Sequence, residues 1–225
     1  MHRVLFFLLM LILLSPIPAL AQEQQAVVKE FSGKVEVKPP GRDWRPVEVN
    51  MPVSMGATVS TGFASRLVLA LGQTQISIRP LTRMLLRELV KTGSTNTTGL
   101  TLRVGKVNVA VKAASGEKND FTIRGPASTA AVRGTEFNYD ANVDDEIQDL
   151  VDSVSVTAGI TGHTLTLYPG ESVDSNGINL TYIQPSLNPP LNDLLSTLYG
   201  NPGWLAENRL PTSNSSSATI TVRVN

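Results

Sequence analysis

Short runs that alternate apolar and polar side chains recur every 8 to 12 residues along most of this chain, with glycine-bearing turns between them. That period-two alternation is the mark of half-buried β-strands. Lys34 to Val37 alternates, Pro39 to Asp43 is a turn cluster, and Trp44 to Val49 alternates again. Met55 to Gly62 is a short run closed by glycine. Arg66 to Leu71 is almost continuously apolar, as a more fully buried strand is, and Gly72 ends it. Thr74 to Ile78 alternates until Pro80 stops it. Arg83 to Val90 is rich in helix formers, but it is short and stands among strands, so a strand is predicted there. Thr92 to Gly99 reads as a polar loop. Leu100 to Val104 and Lys106 to Val111 flank Gly105 and read as one long strand, bulged or bent at the glycine.

Ala114 to Asp120 reads as a turn, and Phe121 to Arg124 as a short strand broken by Gly125-Pro126. A small-residue link then leads into Ala131 to Phe137. The acidic segment Asp140 to Asp152 reads as a solvated hairpin tip. Val154 to Ala158 and Thr164 to Leu167 are further strands, Pro169-Gly170-Glu171 is a turn, and Ser172-Val173 and Asn179 to Ile183 finish the β region. The spacing predicts an all-β fold, either a solenoid or a β-sandwich. No convincing helix separates consecutive strands, which argues against a parallel α/β sheet. Beyond it, 185–190 reads as a linker, and Leu191 to Tyr199 as a short helix with four leucines on one face. Ala218 to Val224 is a terminal strand pattern that must pair with the main sheet or lie open to a partner.

The first residues change the picture of where the protein works. Met1-His2-Arg3 is followed by an eleven-residue apolar run, Val4 to Leu14, and by Ala19-Leu20-Ala21. This is the pattern of a signal peptide, with cleavage predicted between Ala21 and Gln22. The run is too short to span a bilayer, and no later segment is long and apolar enough to do so. The expected division is a signal peptide over 1–21, a β domain over 22–184, and a mostly irregular tail over 185–225. The expected location is periplasmic, with outer-membrane association or secretion as the other outcomes of export.

With 225 residues, 41% of them hydrophobic, the chain is long enough for one domain with a buried core. Its formal net charge of zero gives no electrostatic pull toward nucleic acid or an anionic membrane. It has no cysteine, which excludes disulfides, a thiol nucleophile and thiolate metal sites.

The order of motifs resembles the FecR domain family. The residues that carry the likeness are Gly33 to Val37, Gly56 to Gly62, Gly105-Lys106-Val107, Pro169-Gly170-Glu171, and above all Val132-Arg133-Gly134-Thr135-Glu136-Phe137. They span about residues 30 to 180. The resemblance implies a twisted, solenoid-like β domain that acts in signalling or protein contact outside the cytoplasm, with no enzymatic activity and no cofactor. The regulators of that family carry a cytoplasmic segment and a membrane helix before the domain. A signal peptide stands in that place here, so direct sigma-factor control is not carried over.

Arg133 is the first candidate. A guanidinium beside a glycine turn is expected to fold onto carbonyls or onto the carboxylate of Glu136 or Glu171, with Gly134 at positive φ or under a close backbone. That makes the Val132–Phe137 motif a structural organiser, with an anion contact at Arg133 as the alternative. Asp140, Asn142 and Asp144 open like a calcium loop, but Asp145 stands where that loop needs glycine and Val151 where it needs glutamate, so no metal is expected. His163, the one histidine after the signal peptide, has no partners for zinc and activates no serine. Glu136 and Glu171 could in principle form a glycosidase pair, but the few aromatics suggest no sugar subsites. The expected work is contact with an envelope protein by strand addition or surface docking. The alternative is a polysaccharide or small-ligand module with Trp44 and Trp204 as its stacking residues.

Overall fold

The computed structural model describes residues 22–142, 144–183 and 219–221. Among these the chain forms β-strands and turns, with no helix. The strands are β1 (Gln22–Glu23), β2 (Ala26–Ser32), β3 (Val35–Lys38), β4 (Arg45–Pro46), β5 (Pro52–Val53), β6 (Thr58–Thr61), β7 (Arg66–Leu71), β8 (Thr74–Ile78) and β9 (Arg83–Thr92). They continue as β10 (Thr95–Ala110), β11 (Lys118–Arg124), β12 (Ser128–Val132), β13 (Glu136–Ala141), β14 (Asp145–Asp149), β15 (Val154–Ala158), β16 (Thr164–Leu167), β17 (Ser172–Ser175), β18 (Leu180–Ile183) and β19 (Thr219–Thr221). Arg83–Thr92 is a strand despite its helix formers, because β6 and β10 hold its two edges. The residues expected to form the short helix, the linker and the signal peptide, with Ala21 and Trp204 among them, lie outside the described residues. The expected terminal strand does return to the main sheet, where β19 pairs with β18.

The pairings make two open sheets. The front sheet runs β4–β3–β6–β9–β10–β11–β12–β15–β16, with β1 also on β9. The back sheet runs β5–β2–β7–β8–β10–β13–β14–β17–β18–β19. Every pairing is antiparallel except β10 with β11. The chain passes back and forth: β6 to β7, β8 to β9, β12 to β13, β14 to β15 and β16 to β17 each cross from one sheet to the other. From β6 onward, strand order in both sheets therefore follows chain order. Inward side chains of both sheets form one continuous core from Ala26 to Leu180, with Tyr139, Phe121 and Phe137 its largest fully buried members. Phe121 and Phe137 meet edge to face, with centroids 6.2 Å apart.

β10 is the one described strand that belongs to both sheets. Its first part, through Val104, pairs with β9, and Gly105–Ala110 pairs with β13. The crossing falls at Gly105, where φ is +101°. A Cβ there would lie 2.6 Å from the Thr82 backbone and 2.3 Å from its hydroxyl. The Thr82 hydroxyl meets the Lys106 backbone on both sides, accepting from its N–H at 3.1 Å and reaching its carbonyl at 3.2 Å. The strand expected on both sides of Gly105 is thus present, with its bend at the glycine.

Three expectations need correction. The polar loop over Thr92–Gly99 is instead the end of β9, a tight turn at Gly93-Ser94, and the start of β10. Its threonines are β-branched, and β9 and β11 hold both edges of the new strand, so pairing outweighs polarity. The small-residue link after Pro126 is strand β12, whose alanines let it lie between β11 and β15. Most of the acidic segment is not a hairpin tip: β13 runs to Ala141, and Asp145–Asp149 is an interior strand of the back sheet. Asp145, Ile147 and Asp149 point inward there, the aspartates as fully buried as the isoleucine.

Replacing Gly105 with Ala is expected to lower stability by roughly 2–4 kcal/mol, from a strained φ plus the overlap with Thr82. Urea unfolding checks this, and an unchanged midpoint would show that the crossing does not need glycine.

Candidate contact surface and its buried support

A carboxylate in an all-β interior is tolerated only when donors surround it. Asp145 has four. Its Oδ2 accepts from the Ala127 N–H at 2.9 Å, the Ser128 N–H at 2.6 Å, the Ser128 hydroxyl at 3.0 Å and the Tyr139 hydroxyl at 2.7 Å. The Tyr139 oxygen in turn accepts from the Gly125 N–H at 3.1 Å. One carboxylate thereby closes the Gly125-Pro126-Ala127 turn between β11 and β12 and ties it to β13 and β14. A Cβ on Gly125 would sit 2.5 Å from both Asp145 Oδ2 and the Tyr139 oxygen, so glycine leaves the space the carboxylate fills. Burial first, and then the Asp145 charge, push the Tyr139 phenol well above its ordinary pKa.

A second buried aspartate works one turn away. Asp149 Oδ1 accepts from the Thr135 hydroxyl at 3.1 Å, and that hydroxyl accepts from the Asp152 N–H at 2.9 Å. This is where the Val132–Phe137 motif has its structural weight. Val132, Thr135 and Phe137 are buried, and Glu136 is half-buried and accepts from Asn108 at 3.2 Å. Arg133 and Gly134 lie in the exposed turn. Arg133 is in none of the ion pairs among the described residues. Gly134 is not at positive φ, and its nearest neighbour to a Cβ would be the Val111 carbonyl at 4.0 Å. Glu171 accepts instead from the Tyr168 N–H at 2.8 Å. The expected clasp of Arg133 is therefore replaced by Thr135 on Asp149.

The remaining candidates are dispersed. Asp140 forms an ion pair with Lys106 and accepts from Asn142 at 2.7 Å, while Asp144 is exposed and bears on Asp174. Among the described residues no three His, Asp or Glu side chains gather to hold a metal. Trp44 is 39% exposed, but the Arg83 guanidinium lies 5.8 Å from its ring centre, so that face is covered. A polar cavity of about 250 Å³ is walled by Asn96, Asn119, Lys91 and Glu117. Lys91 and Glu117 already pair with each other there.

The open feature is at the far end of the stack. The front sheet stops at β16, which pairs only with β15 among the described residues. The back sheet runs two strands further, to β18 and β19. The inner face of β18 thus overhangs a place where the front sheet has no described strand. The slot encloses about 190 Å³ and is lined by His163, Thr164, Leu165, Ile178, Leu180 and Tyr182, among others. Its mouth is held by the β15–β16 and β17–β18 turns, through Ile160 N–H to the Gly177 carbonyl at 2.7 Å and Thr161 hydroxyl to the Ile178 carbonyl at 2.9 Å. Partial burial, and then the neighbouring Glu171 carboxylate, push the Tyr182 phenol up to about 12. Of the slot residues only His163 was weighed as a candidate from the sequence, and it is exposed.

The main-chain groups along β16 also follow from pairing. Ala158 N–H bonds the His163 carbonyl at 2.8 Å, and bonded and non-bonded pairs alternate in an antiparallel ladder. Leu165 and Leu167 are then bonded to β15, while the N–H and C=O of Thr164 and Thr166 face the slot side. The opposite end of the stack differs. Its edge strands are β4, which ends in Pro46, and β5, which begins with Pro52. Proline offers no N–H and discourages pairing at an edge.

Residues 57–160 match the model of the family described as FecR protein. The match is narrower than the 30 to 180 span of the motifs. It leaves out Gly33 to Val37 and Pro169 to Glu171 and takes in the whole Val132–Phe137 motif. No curated protein matches the chain. Two crystal structures of a candidate anti-sigma factor from Parabacteroides distasonis ATCC 8503 are similar to it at 18% identity, with TM-scores of 0.43 and 0.42. Each likeness covers 53% of this chain and 55% of the other, so the chain spans about half the length of those structures.

Two outcomes are expected. Asp145→Ala removes the acceptor of all four donors, and a buried donor left unsatisfied costs about 1–3 kcal/mol, so it should lower stability by about 3 kcal/mol or more. Arg133→Ala should stay within about 0.5 kcal/mol. Chemical denaturation ranks them, and the reverse order would return the organising role to Arg133. Asp174 is the pH probe. Burial, and then the Asp144 charge, raise its pKa. The folded chain thus holds this proton more readily than the unfolded one, and the stability it contributes is full below the unfolded pKa and lost as pH rises through the folded value. Asp174→Asn should raise the Tm at pH 7 and change it little at pH 3. An equal shift at both pH values would contradict the assignment.

Proposed function

We propose that this chain, which carries a FecR domain over residues 57–160, is an exported, non-enzymatic contact module of a bacterial envelope that binds another protein by strand addition. The family supports a signalling or regulatory role in the envelope. The observation that carries the mechanism is the mismatch of the two sheets at one end: the front sheet ends at β16 while the back sheet continues over it. An added strand would take the free main-chain groups of Thr164 and Thr166. It would also lay alternate side chains against Leu165, Leu180 and Tyr182. Ladder bonds supply affinity in such a mode, and the side chains that fill the slot supply specificity.

In this reading the mature protein starts at Gln22, residues 22–184 form the working domain, and 185–225 are its tail. The alternation of the chain between two sheets supports a solenoid-like description of that domain. Arg133 lies exposed in a turn away from β16 and is kept as a second contact, with Thr135 and Glu136 supporting the turn beneath it.

Thr166→Pro tests the mechanism. It removes an N–H that faces the slot and leaves the β15 ladder intact, so the Tm should hold within a few degrees while capture of the envelope partner is lost. Retained capture at an unchanged Tm would rule out pairing at β16.

A further inference from the structure

The formal charge of zero conceals a division along the stack. Residues 22–133 carry sixteen Lys and Arg against eight Asp and Glu. Residues 134–183 carry nine Asp and Glu and no Lys or Arg. Because strand order follows chain order from β6 onward, this division in sequence becomes a division in space. The acidic part holds β13 to β18 and therefore the slot. Asp145 and Asp149 are spent in the interior, and Asp140 is neutralised by Lys106 from the basic part. Glu171 lies against Tyr182 at the slot wall. Asp174, opposite Thr181 of β18 and with Glu146 on its other side in register, faces the outer side of the same sheet, so Glu171 is the carboxylate that bears on the slot itself. No cation of residues 134–183 offsets these carboxylates. Charges within about 8–10 Å of a docking site act with little screening, and several of one sign steer an oppositely charged partner.

We infer that the segment accepted at β16 is an extended, cationic stretch of a partner protein, with aliphatic side chains at alternate positions and Lys or Arg flanking them. This rests on the strand-addition reading above and adds the chemistry of the partner. The aliphatic side chains fill the slot against Leu165, Leu180 and Tyr182. The flanking cations lie in the field of Glu171 beside Tyr182. A second copy of this chain does not fit the slot through its own β16. Its β17 and β18 would have to stand where this chain's β18 and β19 already stand. The other end of a second copy offers Pro46 and Pro52 at its edges.

The test uses the mature full chain and three labelled ten-residue peptides with the same alternating Val/Thr centre, flanked by lysines, by serines or by glutamates. The lysine peptide should bind about tenfold tighter than the glutamate peptide at low salt, with the difference shrinking as salt is raised. A Glu171→Lys variant should reverse the order, and Thr166→Pro should abolish binding of all three. If the serine and glutamate peptides bind as well as the lysine peptide, the cationic partner is refuted and strand addition stands. If no peptide binds, or Thr166→Pro binds like the parent, strand addition itself fails and the inference with it. Slow hydrogen exchange at the Thr164 and Thr166 amides in the free chain would mean that the slot is already filled. The occupant would be residues 184–218 if the protection persists on dilution and a second copy if it does not, and either result overturns the proposal.

Discussion

The structure depends on one strand crossing between two sheets. β10 is the described element through which hydrogen bonding is continuous from front to back, and the crossing requires a backbone conformation that glycine alone adopts at little cost. Thr82 is packed so closely against Gly105 that no side chain fits between them. On one side of the crossing β10 holds β9 and β11, and on the other it holds β8 and β13. The two halves of the stack share their register through it, and the alignment of the two sheets rests on that register.

The second half needs a further fastening, because its short strands are acidic and small. Asp145 provides it. A buried carboxylate is costly alone, but here it gathers two backbone N–H groups and two hydroxyls from three neighbouring segments. That polar cluster replaces apolar packing in a region where the turn carries Gly125 and the β12 strand carries alanines. Asp149 and Thr135 repeat the device on a smaller scale. The two aspartates therefore do inside the fold what the exposed Arg133 was expected to do at its surface.

These fastenings also set the functional geometry. They hold β13 and β14 against β12, and so fix where β15 to β18 end. Among the described residues the front sheet stops short of the back sheet, and the face between them is apolar, with Glu171 beside Tyr182 at its wall. The other end is closed by prolines. Among the described residues the two ends of the stack thus differ, one guarded by proline and the other not.

Local chemistry in the sequence was enough to determine the strands at Lys34–Val37, Arg66–Leu71 and Thr74–Ile78, the strand on either side of Gly105 and its bend, the turn at Pro169-Gly170-Glu171 and the all-β class, because alternation and glycine act over a few residues. The absence of Lys and Arg over residues 134–183 stands in the sequence as a further signal that the net charge averages away. Other features were decided only by the tertiary structure. Thr95–Gly99 is a strand because two distant segments pair with it. Asp145 and Asp149 are interior because donors from β12, β13 and the turn before β13 converge on them. The slot at β16 exists because the two sheets end at different strands. Each of these is a relation between segments brought together by folding, and a pattern read along the chain records only neighbours in sequence.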